Sequence, residues 1–244
     1  MNIVLKSLLC FTLLCAAGAV QADVTVNSQV MQKGIFSPPK CDGTGGCLCE
    51  SDIIYPSISG MRNADKQAAI NDTIMKSAEQ LKCQGTAVDA KSSADNFSVT
   101  HNYEVTFNSP HFLGLRFTDW AYEGGAHGNG TVEGMIIDLD SGKVLSPADI
   151  FDNKRIADVN RVIYNALAPK ADGIFRDEIE SRKDAFIKDG KCQGCTLVLD
   201  KNGVEVVFQA YEVAPFADGN PTVTIPAKDI SYPALAASIG TKKK

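Results

Sequence analysis

The sequence predicts an α+β fold in which an antiparallel β-sheet, a meander plus a C-terminal hairpin, is packed by helices and stapled by disulfides. Three observations predict it. Apolar residues alternate with a period of two in the middle of the chain, and segments with helical spacing flank them. Eight cysteines in 244 residues are many, and an even number of them follows the N-terminal leader. The chain after the leader, about Asp23 to Lys244, is long enough for one large domain or two small ones.

Residues 1–22 are typical of a secretory signal peptide. Lys6 provides a positive start, residues 7–14 an apolar core, and Val20-Gln21-Ala22 a cleavage site. Since Lys6 is the only charge lost, cleavage moves the net charge from -5 to -6. We therefore predict a periplasmic or secreted protein without a transmembrane anchor, because no later segment is long and apolar enough to span a membrane. A lipoprotein anchored through Cys15 is the alternative.

Cysteine usage predicts disulfides in the mature chain. An even count in an exported protein favours bridges, but six cysteines allow 15 pairings. We expect one of the first three to bridge Cys83, with the other two bonded together, or one of them reaching the last pair. Zinc held by the close pairs is the alternative, which an oxidising compartment disfavours, so no metal or cofactor is predicted. The six are Cys41, Cys47, Cys49, Cys83, Cys192 and Cys195.

We predict that residues 23–50 form a Cys-rich N-terminal extension and residues 51–240 a single α+β domain, with subregions at about 51–145 and 146–240. In the first subregion, residues 53–56 read as a short strand ending at Pro56, and Asn63 caps a helix over 63–82. Alternating apolar residues then predict the antiparallel meander. Its three strands are predicted at 97–107, 112–122 and 131–139.

The second subregion combines helices with a hairpin. Helical spacing predicts a helix over 155–168, ended by Pro169, and a charged helix or pair of turns over 172–188. Asn202-Gly203 is a strong turn signal, and it predicts a hairpin between 196–199 and 203–208. A last short strand at 223–226 and a helical piece at 228–239 complete the chain.

The most specialised stretch is Tyr122-Glu123-Gly124-Gly125-Ala126-His127-Gly128-Asn129-Gly130, hereafter the glycine loop. Its glycines allow positive φ and close backbone approach. With Glu123, Asp119 or Asp138 as a partner, His127 is a candidate for an acid–base or metal pair, although such loops are usually architectural. His101 is expected to point with the apolar face of its strand and to make one hydrogen bond. The Gly-x-Ser-x-Gly turn of serine hydrolases is absent from the sequence.

Two blocks of sequence carry a family resemblance. The glycine loop is followed by Asp138-Leu139-Asp140-Ser141-Gly142-Lys143 and Ser146-Pro147-Ala148-Asp149-Ile150-Phe151. Much later come Tyr211-Glu212-Val213-Ala214-Pro215-Phe216-Ala217-Asp218-Gly219 and Val223-Thr224-Ile225-Pro226. In order and spacing they resemble the RsiV/PdaC-like extracellular domain family. This family includes the lysozyme-sensing anti-sigma factor RsiV and the non-catalytic N-terminal region of the peptidoglycan deacetylase PdaC.

The resemblance implies an α+β domain outside the cytoplasmic membrane and, by analogy with RsiV, lysozyme binding. We do not carry over the anti-sigma or deacetylase activity. We predict an exported, non-catalytic binding module at the cell envelope, whose partner is a lysozyme-like cationic protein or peptidoglycan. The mild acidity argues against a nucleic-acid partner. The candidate binding residues are Tyr122, Glu123, Gly124, Gly125, His127, Asn129 and Tyr211, and no residue is assigned as catalytic.

Two alternatives stay open at this point. One is a cell-wall or carbohydrate hydrolase that uses His127 and Glu123, so the sequence leaves enzymatic activity undecided. The other is a purely structural envelope protein, which would present an apolar face to a partner.

Overall fold

The computed structural model describes residues 23–37, 48–84, 86–88 and 97–240. Within these residues the chain forms twelve strands and five α-helices. The strands are β1 Thr25–Ser37, β2 Cys49–Ser59, β3 Thr86–Val88, β4 Phe97–Asn108, β5 Phe112–Tyr122, β6 Asn129–Asp138, β7 Lys143–Val144, β8 Ile187–Lys188, β9 Lys191–Cys192, β10 Cys195–Asp200, β11 Gly203–Phe208 and β12 Thr222–Ile225. The helices are α1 Ala64–Glu79, α2 Pro147–Ile150, α3 Ile156–Leu167, α4 Gly173–Ser181 and α5 Pro233–Ser238.

Seven strands form a large sheet in the order β3-β1-β2-β4-β5-β6-β7. Each neighbouring pair is antiparallel except β2 and β4, which run parallel over Cys49–Ile53. A parallel pair needs a long crossover connection, and α1 lies in it. The predicted meander is confirmed as β4, β5 and β6, and the predicted α+β fold is confirmed with it.

The segment that we predicted as an N-terminal extension contributes β1 to the sheet, where β1 pairs with β2. The prediction that the next strand ends at Pro56 was wrong, because β2 continues to Ser59. The ladder between β2 and β4 ends at Ile53. Pro56, which lacks a backbone N–H, therefore lies beyond that ladder, where the strand is held by its pairing with β1.

Helix α1 covers one face of the large sheet. As predicted, Asn63 caps it, since the Asn63 side chain accepts a hydrogen bond from the Lys66 amide at 2.9 Å. The apolar side of α1 packs against β5 and β6 in a cluster that also includes the start of β1. Its fully buried members on α1 and β5 are Ile70, Ile74, Leu113, Leu115 and Phe117.

The opposite face of the large sheet packs against a second sheet, of order β10-β11-β12. This contact depends on two glycines. A Cβ atom at Gly134 would lie 1.9 Å from the carbonyl oxygen of Leu197, and one at Gly114 would lie 2.8 Å from that of Leu199. The Gly134 amide also donates to Thr196 Oγ1 at 2.8 Å, so a side chain of β10 bonds the backbone of β6 directly.

The larger hydrophobic core lies between the second sheet and helices α3, α4 and α5. Asn160 on α3 is 1% exposed and is held by two hydrogen bonds with the backbone of Ile187, one donated and one accepted. The predicted helix over 172–188 is too long, because α4 ends at Ser181. After turns, the chain extends into β8, where Ile187 pairs with Cys192 and is fixed by Asn160.

Two disulfides join described cysteines. Cys49–Cys83 connects the start of β2 to the residues after α1, which confirms that one of the first three mature cysteines bridges Cys83. Cys192–Cys195 closes a turn between β9 and β10. The predictions for Cys41, Cys47 and the signal peptide concern residues outside the described ranges. None of the helices in those ranges is long and apolar enough to cross a membrane.

Candidate functional site

The glycine loop connects β5 to β6 and has a defined conformation. Gly124 and Gly125 have φ values of +95° and +96°, a region in which L side chains are strained. The hydroxyl of Tyr122 donates to the Gly125 carbonyl at 3.0 Å, so the loop turns back over the end of β5. The two glycines and Tyr122 therefore have a clear role in shaping the loop.

The second half of the glycine loop lies on Trp120. Gly128 is buried, and a Cβ atom there would come within 2.6 Å of the indole ring. Asn129 then starts β6 by pairing with Ala121. Trp120 itself is 38% exposed, so it supports the loop from below and still reaches solvent at its edge.

His127 is exposed at the tip of the loop. Its Nδ1 lies 2.9 Å from the carbonyl oxygen of Gly128, and since a carbonyl only accepts, Nδ1 is the donor. The ring stacks on Phe216, with the centroids 4.9 Å apart and 29° between the planes. Within the described ranges, no carboxylate is hydrogen-bonded to His127, and Glu123 is exposed in the same loop without contacting it.

Phe216 belongs to residues 211–219, hereafter the Tyr211 segment. Tyr211 has a φ of +70°, a conformation that costs a residue with a side chain about 1–2 kcal/mol. Its ring is 57% exposed and stacks on Phe216, with the centroids 5.6 Å apart. His127, Phe216 and Tyr211 thus form a row of three rings at the surface, hereafter the aromatic row.

Gln209 fixes the start of the Tyr211 segment against the large sheet. Its side chain accepts from the Val132 amide at 3.0 Å and donates to the Val132 carbonyl at 2.7 Å. The backbone N–H of Gln209 donates to the Gly194 carbonyl at 3.0 Å. The Gln209 side chain therefore bonds both backbone groups of Val132 on β6, close to the glycine loop, and places the Tyr211 segment beside that loop.

Arg182 fixes the same segment from the other side. Its guanidinium donates to the Glu212 carboxylate at 3.0 Å, to the Glu212 carbonyl at 2.7 Å and to the Gln193 carbonyl at 3.3 Å. Such charge-assisted bonds in a planar fork set direction as well as distance. The aromatic row is therefore held in place before any partner binds.

An apolar and acidic groove of about 340 Å³ continues from Tyr211. Its walls carry the carboxylates of Glu178 and Glu212 beside the side chains of Phe175 and Ile174. Ile174 is 76% exposed and adds apolar surface to the groove. The aromatic row and this groove together make an apolar surface beside Glu178, Glu212 and their shared partner Arg182, a cluster with one net negative charge.

His101, the histidine that the sequence placed on a strand, lies apart from this surface. The prediction for His101 is confirmed: it is 2% exposed, its Nδ1 is bonded to the Asp119 carboxylate, and its ring stacks on Phe117. Over the described part of the chain, no three His, Cys, Asp or Glu side chains are grouped to hold a metal ion.

Several residues of the site were not assigned to it from the sequence: Trp120, Ile174, Phe175, Glu178, Arg182, Gln209, Glu212 and Phe216. The structure brings His127 and Tyr211 together through Phe216, and it places Asn129 and Glu123 outside the row. Phe216 lies inside the second sequence block, so the available signal was the pairing of the two blocks. Arg182 gave no signal, because its partners lie in turns that only the fold brings together.

Two family models match the chain. Residues 46–130 match the model described as Deacetylase PdaC, and residues 148–228 match the model described as Protein of unknown function (DUF3298). The first range runs from β2 to the glycine loop and includes His127. The second range includes the Tyr211 segment, with Tyr211 and Phe216, so the aromatic row combines residues from both matched ranges. Among curated proteins, no sequence matches the chain.

Two solved structures share the fold. A DUF3298 family protein from Bacteroides fragilis has a TM-score of 0.65 and 14% identity, and the match covers 91% of this chain and 99% of that one. A DUF3298 family protein from Pseudomonas aeruginosa has a TM-score of 0.55 and 17% identity, with 88% and 98% covered. At these identities the likeness concerns the fold alone.

Proposed function

We propose that this chain is an exported module that binds a cationic protein of the lysozyme type through the aromatic row. Its matches to the PdaC and DUF3298 models indicate a cell-envelope-related family. The observation that carries the proposal is the stack of His127, Phe216 and Tyr211, which lies at the surface although its parts are tightly held. Preorganised, exposed aromatic rings are the usual anchors of protein interfaces.

The charges near the row favour a cationic partner. Glu178 and Glu212 line the adjoining groove and share one cation, Arg182, so the three groups together carry one net negative charge, and the net charge of the whole chain is -5. A negative surface raises the association rate of a positive partner and makes it depend on salt. The resemblance to the lysozyme-sensing RsiV supports the same class of partner.

The location is part of the proposal. Two disulfides among the described cysteines support an oxidising compartment, and the leader at residues 1–22 would direct the chain there. The intact mass of the protein recovered from the producing cell tests this: we expect a chain that begins at Asp23. A chain that keeps the leader in the cytoplasm would contradict it.

The hydrolase alternative has less support. An acid–base pair needs His127 within hydrogen-bond distance of a carboxylate, and in the described residues the bond of its Nδ1 is to the Gly128 carbonyl. We therefore keep binding as the proposed function of this surface.

The test is a calorimetric titration of residues 23–244 with lysozyme, together with an assay of lysozyme activity. We expect a 1:1 complex that weakens as salt increases, and we expect Tyr211→Ala to weaken it about tenfold or more. Val30→Ala removes another exposed apolar side chain, 63% accessible on β1, and is the matched control that should bind normally. No complex at about 100 μM lysozyme would remove the proposal. If the protein instead co-sediments with purified peptidoglycan, the aromatic row would be assigned to binding of the glycan.

A further inference from the structure

A second cavity, of about 450 Å³, is lined in part by Val213, Ala214, Pro215 and Asp218 of the Tyr211 segment. It opens between the end of α3, the start of α4 and the chain around residues 213–223. Its volume falls in the range of small-ligand sites. The floor is apolar, and the side chains that form it are Leu167, Ala171, Phe175, Val213 and Val223.

Three charged side chains stand around this apolar floor. Lys170 provides a positive charge, and Asp172 and Asp218 provide two negative charges. All three are exposed, and within the described ranges none of them makes an ion pair or a side-chain hydrogen bond. On the neighbouring helices α3 and α4, by contrast, Asp158 and Glu180 are paired with a nearby cation.

We propose that this cavity binds a short peptide that ends in a free carboxylate and carries a side-chain amine. Lys170 would pair with the carboxylate, Asp172 and Asp218 with the ammonium group, and the apolar floor would contact small side chains between them. A bound zwitterionic peptide satisfies both signs of charge at once, whereas an anion or a cation alone would meet an unfavourable charge on one side.

The proposed peptide site adjoins the proposed lysozyme site but is tested with its own ligands and variants. His127, Phe216 and Tyr211 do not line the cavity, and the aromatic row does not contain Lys170 or Asp172. Phe175 lines both the cavity and the acidic groove, and Asp218 of the cavity belongs to the Tyr211 segment, so the two sites are neighbours that share part of their walls. Each can fail without the other.

The experiment is calorimetry of residues 23–244 with the tripeptide N-acetyl-Lys-D-Ala-D-Ala and with its all-L form. Two further peptides each remove one charge: a C-terminal amide and an Nε-acetylated lysine. We expect saturable binding of the parent peptide with a dissociation constant below about 1 mM, and roughly tenfold weaker binding of each neutralised peptide. Preference for the D-peptide assigns the ligand to cell-wall stem peptides, and preference for the L-peptide assigns it to protein carboxyl termini.

Variants then assign the contacts. Lys170→Met should weaken binding of the parent peptide about tenfold and abolish the difference in affinity between the free-carboxylate and amidated peptides. Asp218→Asn should also weaken binding of the parent peptide about tenfold, and it should abolish the difference in affinity between the free-lysine and Nε-acetylated peptides. Lys188→Met and Asp184→Asn change exposed charges outside the cavity and serve as matched controls. The absence of saturable binding, or equal loss with amidated and free peptides in Lys170→Met, would overturn the proposal.

Discussion

The ring of His127 stacks on the ring of Phe216 at a centroid distance of 4.9 Å, and this contact joins the glycine loop to the Tyr211 segment. The two segments lie far apart in the sequence and fall in different family models. Their contact changes the interpretation of the glycine loop. Its glycines set the backbone path that carries His127 to Phe216, and the histidine acts as a packing surface.

Gly128→Ala tests that interpretation. A Cβ atom at residue 128 would lie 2.6 Å from the Trp120 ring, so the loop has to lift and His127 has to leave Phe216. We expect the variant to bind lysozyme about tenfold more weakly, with a loss of stability within about 3 kcal/mol. Gly130→Ala is the control, since its Cβ would approach the same ring no closer than 3.4 Å. Equal binding by both variants would contradict the role of the loop.

Gly134→Ala tests the contact between the two sheets. Its Cβ would lie 1.9 Å from the Leu197 carbonyl, so β6 and β10 would have to separate. We expect the variant to lose about 2–3 kcal/mol of unfolding free energy in urea denaturation. Gly130→Ala on the same strand again serves as the control. A change below about 0.5 kcal/mol in Gly134→Ala would show that the sheets do not pack as described.

The two described disulfides should stabilise the protein unequally. Cys49–Cys83 closes a loop with a sequence separation of 34, whereas Cys192–Cys195 closes one of 3. The loop-entropy relation then gives about 4 kcal/mol for the first and about 2 kcal/mol for the second. Urea unfolding of Cys49→Ala/Cys83→Ala and of Cys192→Ala/Cys195→Ala measures both. A larger loss from the second double variant would contradict the prediction.

The pair of Asp138 and Tyr232 predicts a dependence of stability on pH. Burial raises the pKa of Asp138, but hydrogen bonds from Tyr232, Ser141 and Asp140 outweigh burial and lower the pKa below its usual value. The hydrogen bond to Asp138, with burial, raises the pKa of Tyr232 to about 12. A carboxyl whose pKa is lowered by folding stabilises the protein above its unfolded pKa, and this contribution is lost as the pH falls through the folded pKa.

Tyr232→Phe should therefore begin to unfold at a higher pH during acid titration, because the pKa of Asp138 rises. At neutral pH we expect a loss of about 1.5–3 kcal/mol, measured by urea unfolding followed by circular dichroism. Tyr164→Phe removes a hydroxyl that bonds Glu180 in solvent, and it is the control that should leave the unfolding midpoint close to that of the unchanged protein. An unchanged acid midpoint in Tyr232→Phe would show that the hydrogen bond does not control Asp138.

The elements with strong local signals were predictable from the sequence. The alternation from Phe97 to Phe107 predicted β4, and Asn63 with its following spacing predicted α1. The parallel pairing of β2 with β4 was not predictable, because it depends on a crossover and not on any local pattern. The same holds for Gly114 and Gly134, whose need for glycine arises from a strand that lies far along the chain.

The candidate site was predictable in its parts but not in its assembly. The glycine loop and Tyr211 were identified by composition and by the family resemblance. That Phe216 stacks between His127 and Tyr211 follows from the anchors at Gln209 and Arg182, whose bonds reach across turns and a sheet edge. Contacts of that kind leave no periodicity in the sequence.

The glycine loop and the Tyr211 segment are proposed to form one recognition surface. The most direct measurement is an amide NMR titration of isotope-labelled residues 23–244 with unlabelled lysozyme. We predict that the shifted and broadened signals concentrate in residues 124–130 and 211–219 together, with Phe216 and His127 among them, and that β1 is unaffected. Perturbation of only one of the two segments, or of neither, would contradict the claim.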